Sequence, residues 1–264
     1  MFFILSEAKN PYSRQSCPGI FVVKFFDVGS VRLRGENIEV TRPKKALLSW
    51  SGGKDSAWTL HLLRRTPEVE VVGLLTTFNE SANRVAIHGV RQELVSAQSQ
   101  AAGLPLFAVP LPSPCSNSQY EAAMRRVCDN ALASGVTAIA FGDLFLADIR
   151  AYREKQLQDT GLQPLFPIWG LPTLPLARQM IASGLRAKLS VVDSRVLAAD
   201  FSGRDFDAQL LADLPASIDP CGENGEFHTF VYAGPTFKNS ISVQVGERVS
   251  RDGFIFTDLL AKKP

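Results

Sequence analysis

From residue 45 onward, short apolar runs alternate with longer amphipathic segments along the chain. The apolar runs have the length of buried strands, and they lie at residues 46–49, 69–76, 106–109 and 138–141. The other segments repeat apolar residues at helical spacing, and they lie at residues 57–65, 89–102, 119–133 and 145–158. This alternation is typical of parallel βαβ units, so it predicts an α/β domain built around a doubly wound parallel sheet.

After residue 160 the pattern changes, because Pro and Gly residues crowd the segment 164–175. Beyond it we predict helices at 176–183 and 206–214 and strands at 187–192, 230–233, 240–245 and 254–259. Arg251-Asp252-Gly253 lies between the last two strands and is a hairpin turn signal. We therefore predict one domain over residues 44–160 and a smaller α+β C-terminal region over residues 161–264.

Residues 1–43 form a separate N-terminal extension in this prediction. Prolines and glycines interrupt each apolar run before it is long enough for a regular element, at positions 11, 18, 19, 29 and 35. The extension is then either disordered or loosely packed, or it precedes the true start of translation. A strand over residues 21–26 that packs on the domain is the third interpretation.

The composition is that of an ordinary globular protein. The 264 residues are 45% hydrophobic and 20% charged with a net charge of +2, which excludes disordered and fibrous chains. No dense stripe of Lys and Arg indicates a nucleic-acid partner. Cys17, Cys115, Cys128 and Cys221 form no C-x-x-C pair, so we expect a cytoplasmic protein without a disulfide framework or zinc site. No apolar run approaches the roughly 20 residues that cross a bilayer, so no membrane partner is expected.

The most informative motif is Ser-Gly-Gly-Lys-Asp-Ser at residues 51–56, between a predicted strand and a predicted helix. In that position, backbone N–H groups and the helix N-terminus converge on one point of partial positive charge. Gly52 and Gly53 let the backbone approach an anion closely, and Lys54 adds a full charge. Asp55 can cap the helix or hold a hydrated magnesium ion. The spacing differs from that of the Walker loop. An ordinary polar turn would need only one of these features, so their combination predicts a pyrophosphate-binding loop.

A second group of residues follows from topology. In a doubly wound sheet, ligands bind outside the carboxyl ends of the strands where the strand order reverses, typically between the first and fourth strands. Phe141-Gly142-Asp143 ends the fourth predicted strand. We therefore expect Gly142 and Asp143 to face residues 51–56 across a crevice, with Asp143 available to magnesium or to a ribose. A plain Gly-Asp turn after a strand is the alternative.

Residues 222–229, Gly-Glu-Asn-Gly-Glu-Phe-His-Thr, form a further unusual segment. Glu223 and Glu226 lie three residues apart and His228 follows two residues later, which concentrates acid–base groups in one loop. The residues by themselves leave two interpretations open. The segment is either part of an active site or a solvated surface turn that leads into the strand at 230–233.

Five segments occur in a distinctive order and spacing, namely residues 51–56, 141–143, 161–169, 222–229 and Pro235-Thr236-Phe237. Together they resemble the N-type ATP pyrophosphatases of the diphthine-ammonia ligase family, and the resemblance covers about residues 45–260. It implies an adenine nucleotide alpha hydrolase-like fold with a five-stranded parallel sheet. It further implies that residues 44–160 bind ATP and Mg²⁺ in a PP-loop domain and that residues 161–264 bind the substrate.

The resemblance also implies a reaction, in which MgATP adenylates a carboxylate, pyrophosphate leaves and ammonia attacks to give an amide. The catalytic candidates are Lys54, Asp55, Glu223, Glu226 and His228. The nucleotide-binding candidates are Ser49, Ser51, Gly52, Gly53, Lys54, Asp55, Ser56, Gly142 and Asp143, with Asp55 and Asp143 as magnesium ligands. Weaker candidates for substrate binding are Glu80, His88, Asn224 and Thr229.

The segment 222–229 departs from the family pattern in two positions. Diphthine-ammonia ligases carry a form that resembles Glu-Gly-Gly-Glu-Phe-Glu-Thr, whereas this chain has Asn224 and His228. The lost negative charge puts a diphthamide substrate in doubt, and the histidine form resembles bacterial members for which cobalamin-precursor salvage has been proposed. A tRNA substrate and a non-enzymatic nucleotide-binding module are further alternatives. The carboxylate is either a small molecule or borne by a protein, and a homodimer is compatible with the resemblance.

Overall fold

The computed structural model describes residues 30–33, 36–39, 42–85 and 88–262. The chain divides into two compact units, Met1–Pro43 and Lys44–Pro264. In the first unit, β1 (Ser30–Leu33) pairs antiparallel with β2 (Glu36–Glu39). This hairpin differs from the expectation of no regular element before residue 43, because four-residue strands are too short for a recognisable pattern. The strand considered at 21–26 lies outside the described residues.

The second unit begins with alternating strands and helices. In chain order these are β3 (Lys44–Ser49), α1 (Lys54–Leu63), β4 (Val69–Asn79), β5 (Arg84–Val85), α2 (Gln92–Ala102), β6 (Leu106–Leu111), α3 (Asn117–Ala133), β7 (Ala138–Ala140), α4 (Ala147–Leu157) and β8 (Gln163–Leu165). Five strands run parallel in the order β6-β4-β3-β7-β8, and the short β5 pairs antiparallel with the end of β4. The predicted five-stranded doubly wound sheet is confirmed.

The fifth parallel strand, β8, lies beyond residue 160, where the sequence pattern changes. Its residue Pro164 pairs with Ile139 of β7 at the edge of the sheet. Proline is tolerated in an edge strand, because the side of the strand that lacks an N–H can face solvent and not a neighbouring strand. The proline-rich segment at which the βαβ pattern ends thus contains a strand of the same sheet.

α1 and α2 are among the helices that begin at other residues than the pattern indicates. α1 begins at Lys54 instead of residue 57, so Lys54, Asp55 and Ser56 form its first turn. α2 begins at Gln92 instead of residue 89, because Gly89 has a φ of 62° and belongs to the preceding turn. The start of α1 matters for function, since the N–H groups of a first turn have no partner inside the helix.

The C-terminal part of the second unit forms an antiparallel sheet flanked by helices. Its elements are α5 (Thr173–Ala182), β9 (Arg186–Asp193), α6 (Ala208–Asp213), β10 (Phe227–Ala233), β11 (Val243–Arg251) and β12 (Phe254–Ala261), with strand order β10-β9-β12-β11. Asp252 and Gly253 both have positive φ, 53° and 82°, as a two-residue type I′ turn requires. The predicted α+β region and its hairpin are confirmed. In the described part of the chain, no helix is long and apolar enough to span a bilayer.

Apolar side chains of both sheets share one core. Leu48 of β3, Trp58 and Leu60 of α1, and Leu189 and Phe230 of the antiparallel sheet belong to the same buried cluster. The opposite face of the parallel sheet packs against α3 in a separate cluster. Because α1 lies in the shared core, its N-terminus is fixed relative to both sheets.

Candidate functional site

The loop at residues 51–56 lies at the switch point of the parallel sheet. β3 and β7 are neighbours, and the strand order proceeds outward from them in opposite directions. A Cβ atom added to Gly142 would lie 3.0 Å from the Asp55 carbonyl carbon and 3.1 Å from the Ser56 nitrogen. The segment after β7 therefore touches the start of α1, as the topology predicts, and the absent side chain allows this approach.

The loop is held in shape by its own hydroxyl groups. Ser51 Oγ accepts a hydrogen bond from the Gly53 N–H at 3.2 Å, and Ser56 Oγ donates to the Gly53 carbonyl at 3.0 Å. Gly52 has a φ of 82°, a conformation that favours glycine. These contacts direct the backbone from β3 into the first turn of α1.

Lys54 places a buried positive charge beneath the loop. Its side chain is 3% exposed, and Nζ contacts Asp55 Oδ2 at 2.8 Å and donates to the Cys221 carbonyl. The Nζ atom also lies over the rings of Phe206 and Phe227. Burial lowers the pKa of Lys54, but the nearby negative groups, Asp55 foremost, outweigh it and leave the pKa raised. Lys54 is therefore charged at neutral pH.

Backbone contacts join the loop to β10 of the antiparallel sheet. The Lys54 N–H donates to Thr229 Oγ1 at 3.0 Å, and the Val231 N–H donates to the Gly52 carbonyl at 2.9 Å. Gln98, fully buried on α2, donates through Nε2 to the carbonyls of Gly52 and Val231 at 2.9 and 2.6 Å. The segment that carries Thr229 is thus joined by hydrogen bonds to the loop at residues 51–56.

Asp55 and Asp143 offer buried oxygens without partners. Asp55 Oδ1, Asp143 Oδ2 and Arg153 Nε have no hydrogen-bond partner among the described residues, although Arg153 Nε lies 3.7 Å from Asp143 Oδ2. Burial raises the pKa of Asp143, Arg153 opposes the shift, and the Asp55 charge adds to it. Within the described part of the chain, no three His, Cys, Asp or Glu side chains form a ready metal site. The two carboxylates fit Mg²⁺, which binds one or two carboxylates together with phosphate oxygens and water.

Glu223, in the segment 222–229, reaches the segment that follows β7. Its Oε1 accepts hydrogen bonds from the N–H groups of Leu144 and Phe145 at 2.9 and 3.4 Å. Burial, followed by the nearby charge of Asp55, raises the pKa of Glu223 to about 7, although the backbone donors oppose the shift. Glu223 can therefore gain or lose a proton near neutral pH, and it connects residues 222–229 to the segment after β7.

Glu226 and Asn224 stabilise the segment internally. Glu226 is 6% exposed and accepts hydrogen bonds from the Asp219 N–H at 3.0 Å and from the Asn224 N–H at 2.9 Å. The Asn224 amide also donates to Glu226, at 3.0 Å. Both Glu226 oxygens are thus engaged within the loop, which separates its role from that of Glu223.

His88 and His228 form a ring pair beside the loop. Both are half-buried, their ring centroids are 4.6 Å apart, and His88 Nε2 lies 3.4 Å from the position that a Cβ atom would take on Gly53. Burial first, then the Lys54 charge, lowers the pKa of His228 to about 4. The pKa of His88 is also well below its usual value, through burial, His228 and Lys54. Both imidazoles are therefore neutral at physiological pH.

Two family models match the chain at the segments that build this site. The diphthamide synthase N-terminal domain matches residues 44–164, and the diphthamide synthase C-terminal domain matches residues 173–259. The chain belongs to the diphthamide synthase family. The N-terminal domain match contains residues 51–56, and the C-terminal domain match contains residues 222–229.

The chain is also similar to a curated relative, the diphthine--ammonia ligase of Homo sapiens. The two are 33% identical over 127 residues, which are 45% of this chain and 47% of the human protein. The match thus spans about half the length of the human relative. It supports the family assignment and leaves the activity of the whole protein to be proposed.

Two other predicted residues contribute less to this arrangement. Glu80 lies in an exposed turn after β4, where its N–H bonds the Leu111 carbonyl, and its side chain makes no bond within the described residues. Ser49 ends β3 and pairs in register with Leu75. Neither side chain is held at residues 51–56 by a hydrogen bond in the described part of the chain.

Sequence reasoning missed several residues that shape the site. Asp219 accepts hydrogen bonds from the Cys221 N–H at 2.8 Å and the Thr173 hydroxyl at 2.7 Å, Gln98 joins the loop to β10, and Arg153 faces Asp143. A signal existed for Gln98 alone, as a polar residue on the apolar side of a helix. The contacts of Asp219 and Arg153 depend on how the chain folds and leave no local pattern.

His228 is expected to make the fold sensitive to acid. Its folded pKa, about 4, lies below its usual value of 6.5, so its stabilising contribution is complete above pH 6.5 and is lost as the pH falls through 4. We predict that the free energy of unfolding of His228→Asn, measured by urea titration, decreases less steeply than that of the unaltered protein as the pH falls from 6.5 to 4. A slope equal to that of the unaltered protein would contradict the assigned burial.

Proposed function

We propose that this family member is an ATP-dependent ligase that adenylates a substrate carboxylate, releases pyrophosphate and forms an amide with ammonia. The observation that carries the proposal is the set of hydrogen bonds between the loop at residues 51–56 and residues 221–229. Lys54 donates to Cys221 through Nζ and to Thr229 through its backbone N–H. A nucleotide at the loop would therefore lie beside the acid–base groups of residues 222–229. The name of the human relative, diphthine--ammonia ligase, supports the same chemistry.

The loop suits pyrophosphate as the leaving group. When the bond between the α and β phosphates breaks, negative charge develops on the β phosphate. The Lys54 N–H already donates to Thr229, so the other first-turn N–H groups of α1 and the positive charge of Lys54 would stabilise that charge. Adenylation is needed because a carboxylate oxygen is a poor leaving group, whereas AMP is a good one.

Asp55 and Asp143 are the proposed magnesium ligands. Each has a buried oxygen without a hydrogen-bond partner among the described residues. A bound Mg²⁺ supplies charge neutralisation on the phosphates. Arg153 would keep Asp143 ionised and oriented toward the ion.

Glu223 and His228 are the proposed proton acceptors for the second half-reaction. Ammonium gives one proton to the Glu223 carboxylate and becomes ammonia. The nitrogen lone pair then forms a bond to the acyl carbon while the bond from that carbon to the AMP oxygen breaks. The nitrogen releases a second proton to the neutral His228 ring, which leaves a neutral amide.

Replacing Glu223 with glutamine tests the first proton transfer. Glu223 has a pKa of about 7, so amide formation should rise with pH through that value in the unaltered protein. We predict that Glu223→Gln lowers the amide-forming rate by about 100-fold or more, a usual contribution of a general base, and removes this rise. The measurement is amide product against pH at saturating ammonium. An unchanged pH profile in Glu223→Gln would assign the rise to another group.

The proposal is tested by exchange of labelled pyrophosphate into ATP. The full chain is incubated with MgATP and a panel of carboxylates, small and protein-borne, with and without ammonium. We expect exchange that depends on one carboxylate, and amide and AMP in equal amounts when ammonium is added. Exchange that requires tRNA would favour base modification instead. Tight ATP binding with no AMP from any substrate would favour a nucleotide-binding module.

A further inference from the structure

Two arginines on either side of His88 converge on one carboxylate of the antiparallel sheet. Arg84 Nη1 donates to Asp258 Oδ1 at 2.9 Å. Arg91 donates to the same carboxylate through Nε at 3.0 Å and Nη2 at 2.6 Å. Asp258 lies on β12, outside residues 222–229. Burial raises the pKa of Asp258, but the hydrogen bonds and charges of the two arginines outweigh it and leave the pKa lowered, so the carboxylate is ionised.

Backbone contacts hold the same residues together. Val85 and Val90 are joined by a hydrogen bond of 2.9 Å, and the Arg84 guanidinium also donates to the Gly89 carbonyl at 2.7 Å. A Cβ atom added to Gly89 would lie 3.0 Å from the Phe256 ring of β12. The backbone next to His88 is thus packed on β12 as well as tied to it by charge.

We propose that Asp258 is a positioning residue that holds His88 against the phosphate loop, where His88 contacts the β and γ phosphates of ATP. The inference rests on the proposed function. His88 Nε2 lies 3.4 Å from the position of a Cβ atom on Gly53, the residue at the N-terminus of α1. A phosphate held by this helix end would lie beside the imidazole, which can donate a hydrogen bond to it. Bidentate pairing with Arg91 gives Asp258 the geometric control that such a role requires.

The test measures binding and needs no knowledge of the carboxylate. Dissociation constants for MgATP and for AMP are measured by calorimetry in the unaltered protein, His88→Ala, Asp258→Asn and the double variant. We expect each single change to weaken MgATP binding about tenfold, as for the loss of one hydrogen bond to a charged group. AMP binding should stay unchanged, because AMP lacks the β and γ phosphates. The double variant should bind MgATP no more weakly than His88→Ala, because the two residues act on one contact.

A matched control separates positioning from general stability. Asp213→Asn removes another arginine–carboxylate pair, with Arg204, and should leave MgATP binding unchanged. If Asp258→Asn does not fold, Arg91→Gln replaces it and should show the same selective loss. Unchanged MgATP binding in Asp258→Asn, or additive losses in the double variant, would overturn the inference and leave the ligase proposal intact. Failure of the unaltered protein to bind MgATP would contradict both.

Discussion

Replacing Lys54 with alanine is expected to reduce AMP formation by at least 100-fold, the usual cost of removing one group that stabilises developing charge. Lys54 is the buried cation of the loop, and its Nζ contacts Asp55 and the Cys221 carbonyl. Its loss leaves the Asp55 carboxylate unpaired, which should also lower the free energy of unfolding. Because Asp55 is partly exposed, we expect a loss of roughly 2 to 4 kcal/mol, somewhat less than for a fully buried pair. The protein should remain folded, because domains of this kind have about 5 to 15 kcal/mol of stability. The measurements are AMP release from MgATP and urea unfolding.

Lys188→Ala is the control for this prediction. Lys188 on β9 contacts Asp205 Oδ1 at 2.8 Å, the same distance as the Lys54 to Asp55 contact. It lies outside the loop and is more exposed, so AMP formation should be unchanged. Undiminished AMP release by folded Lys54→Ala would refute the role of the lysine.

Gly142→Ala should weaken nucleotide binding. The new methyl carbon would lie 3.0 to 3.1 Å from backbone atoms of Asp55 and Ser56, which cannot rotate away. The segment after β7 must then move from α1, and the spacing between Asp55 and Asp143 changes with it. We expect MgATP to bind at least tenfold more weakly, with a loss of about 1 to 3 kcal/mol in stability from overpacking. Calorimetry with MgATP and thermal unfolding measure the two effects.

Gly73→Ala serves as the comparison for Gly142→Ala. Its added methyl would meet mainly the ring of Phe107, a side chain that is 47% exposed and free to turn outward. Its MgATP affinity should equal that of the unaltered protein. Equal affinities for Gly142→Ala and Gly73→Ala would show that close approach at residue 142 is unnecessary for binding.

The parallel sheet could be predicted because each of its first four strands is a separate apolar run. The proximity of the first and fourth strands could be predicted from the motif that follows the first strand, since ligands bind at the switch point of a doubly wound sheet. β8 was harder to predict because Pro164 and its short length hide it. The early start of α1 was missed since apolar periodicity marks the buried middle of a helix, whereas its first turn carries polar residues.

The site was predictable where chemistry is concentrated locally. Residues 51–56 and Glu223 stand out as unusual combinations of residue types, and the structure brings them together. The different surroundings of Glu223 and Glu226 could not be predicted, because they depend on N–H donors from Leu144 and Asp219. Asp258 carried no signal either, since its two arginines are more than 160 residues earlier in the chain.

The most direct test of the proposed phosphate loop at residues 51–56 is a crystal structure with Mg²⁺ and an ATP analogue whose α and β phosphorus atoms are joined by carbon. We predict the β phosphate on the N–H groups at the start of α1, with the metal ion contacting Asp55 and Asp143. The γ phosphate should lie beside His88. A nucleotide bound with its phosphates away from residues 51–56 would contradict the assignment of the loop.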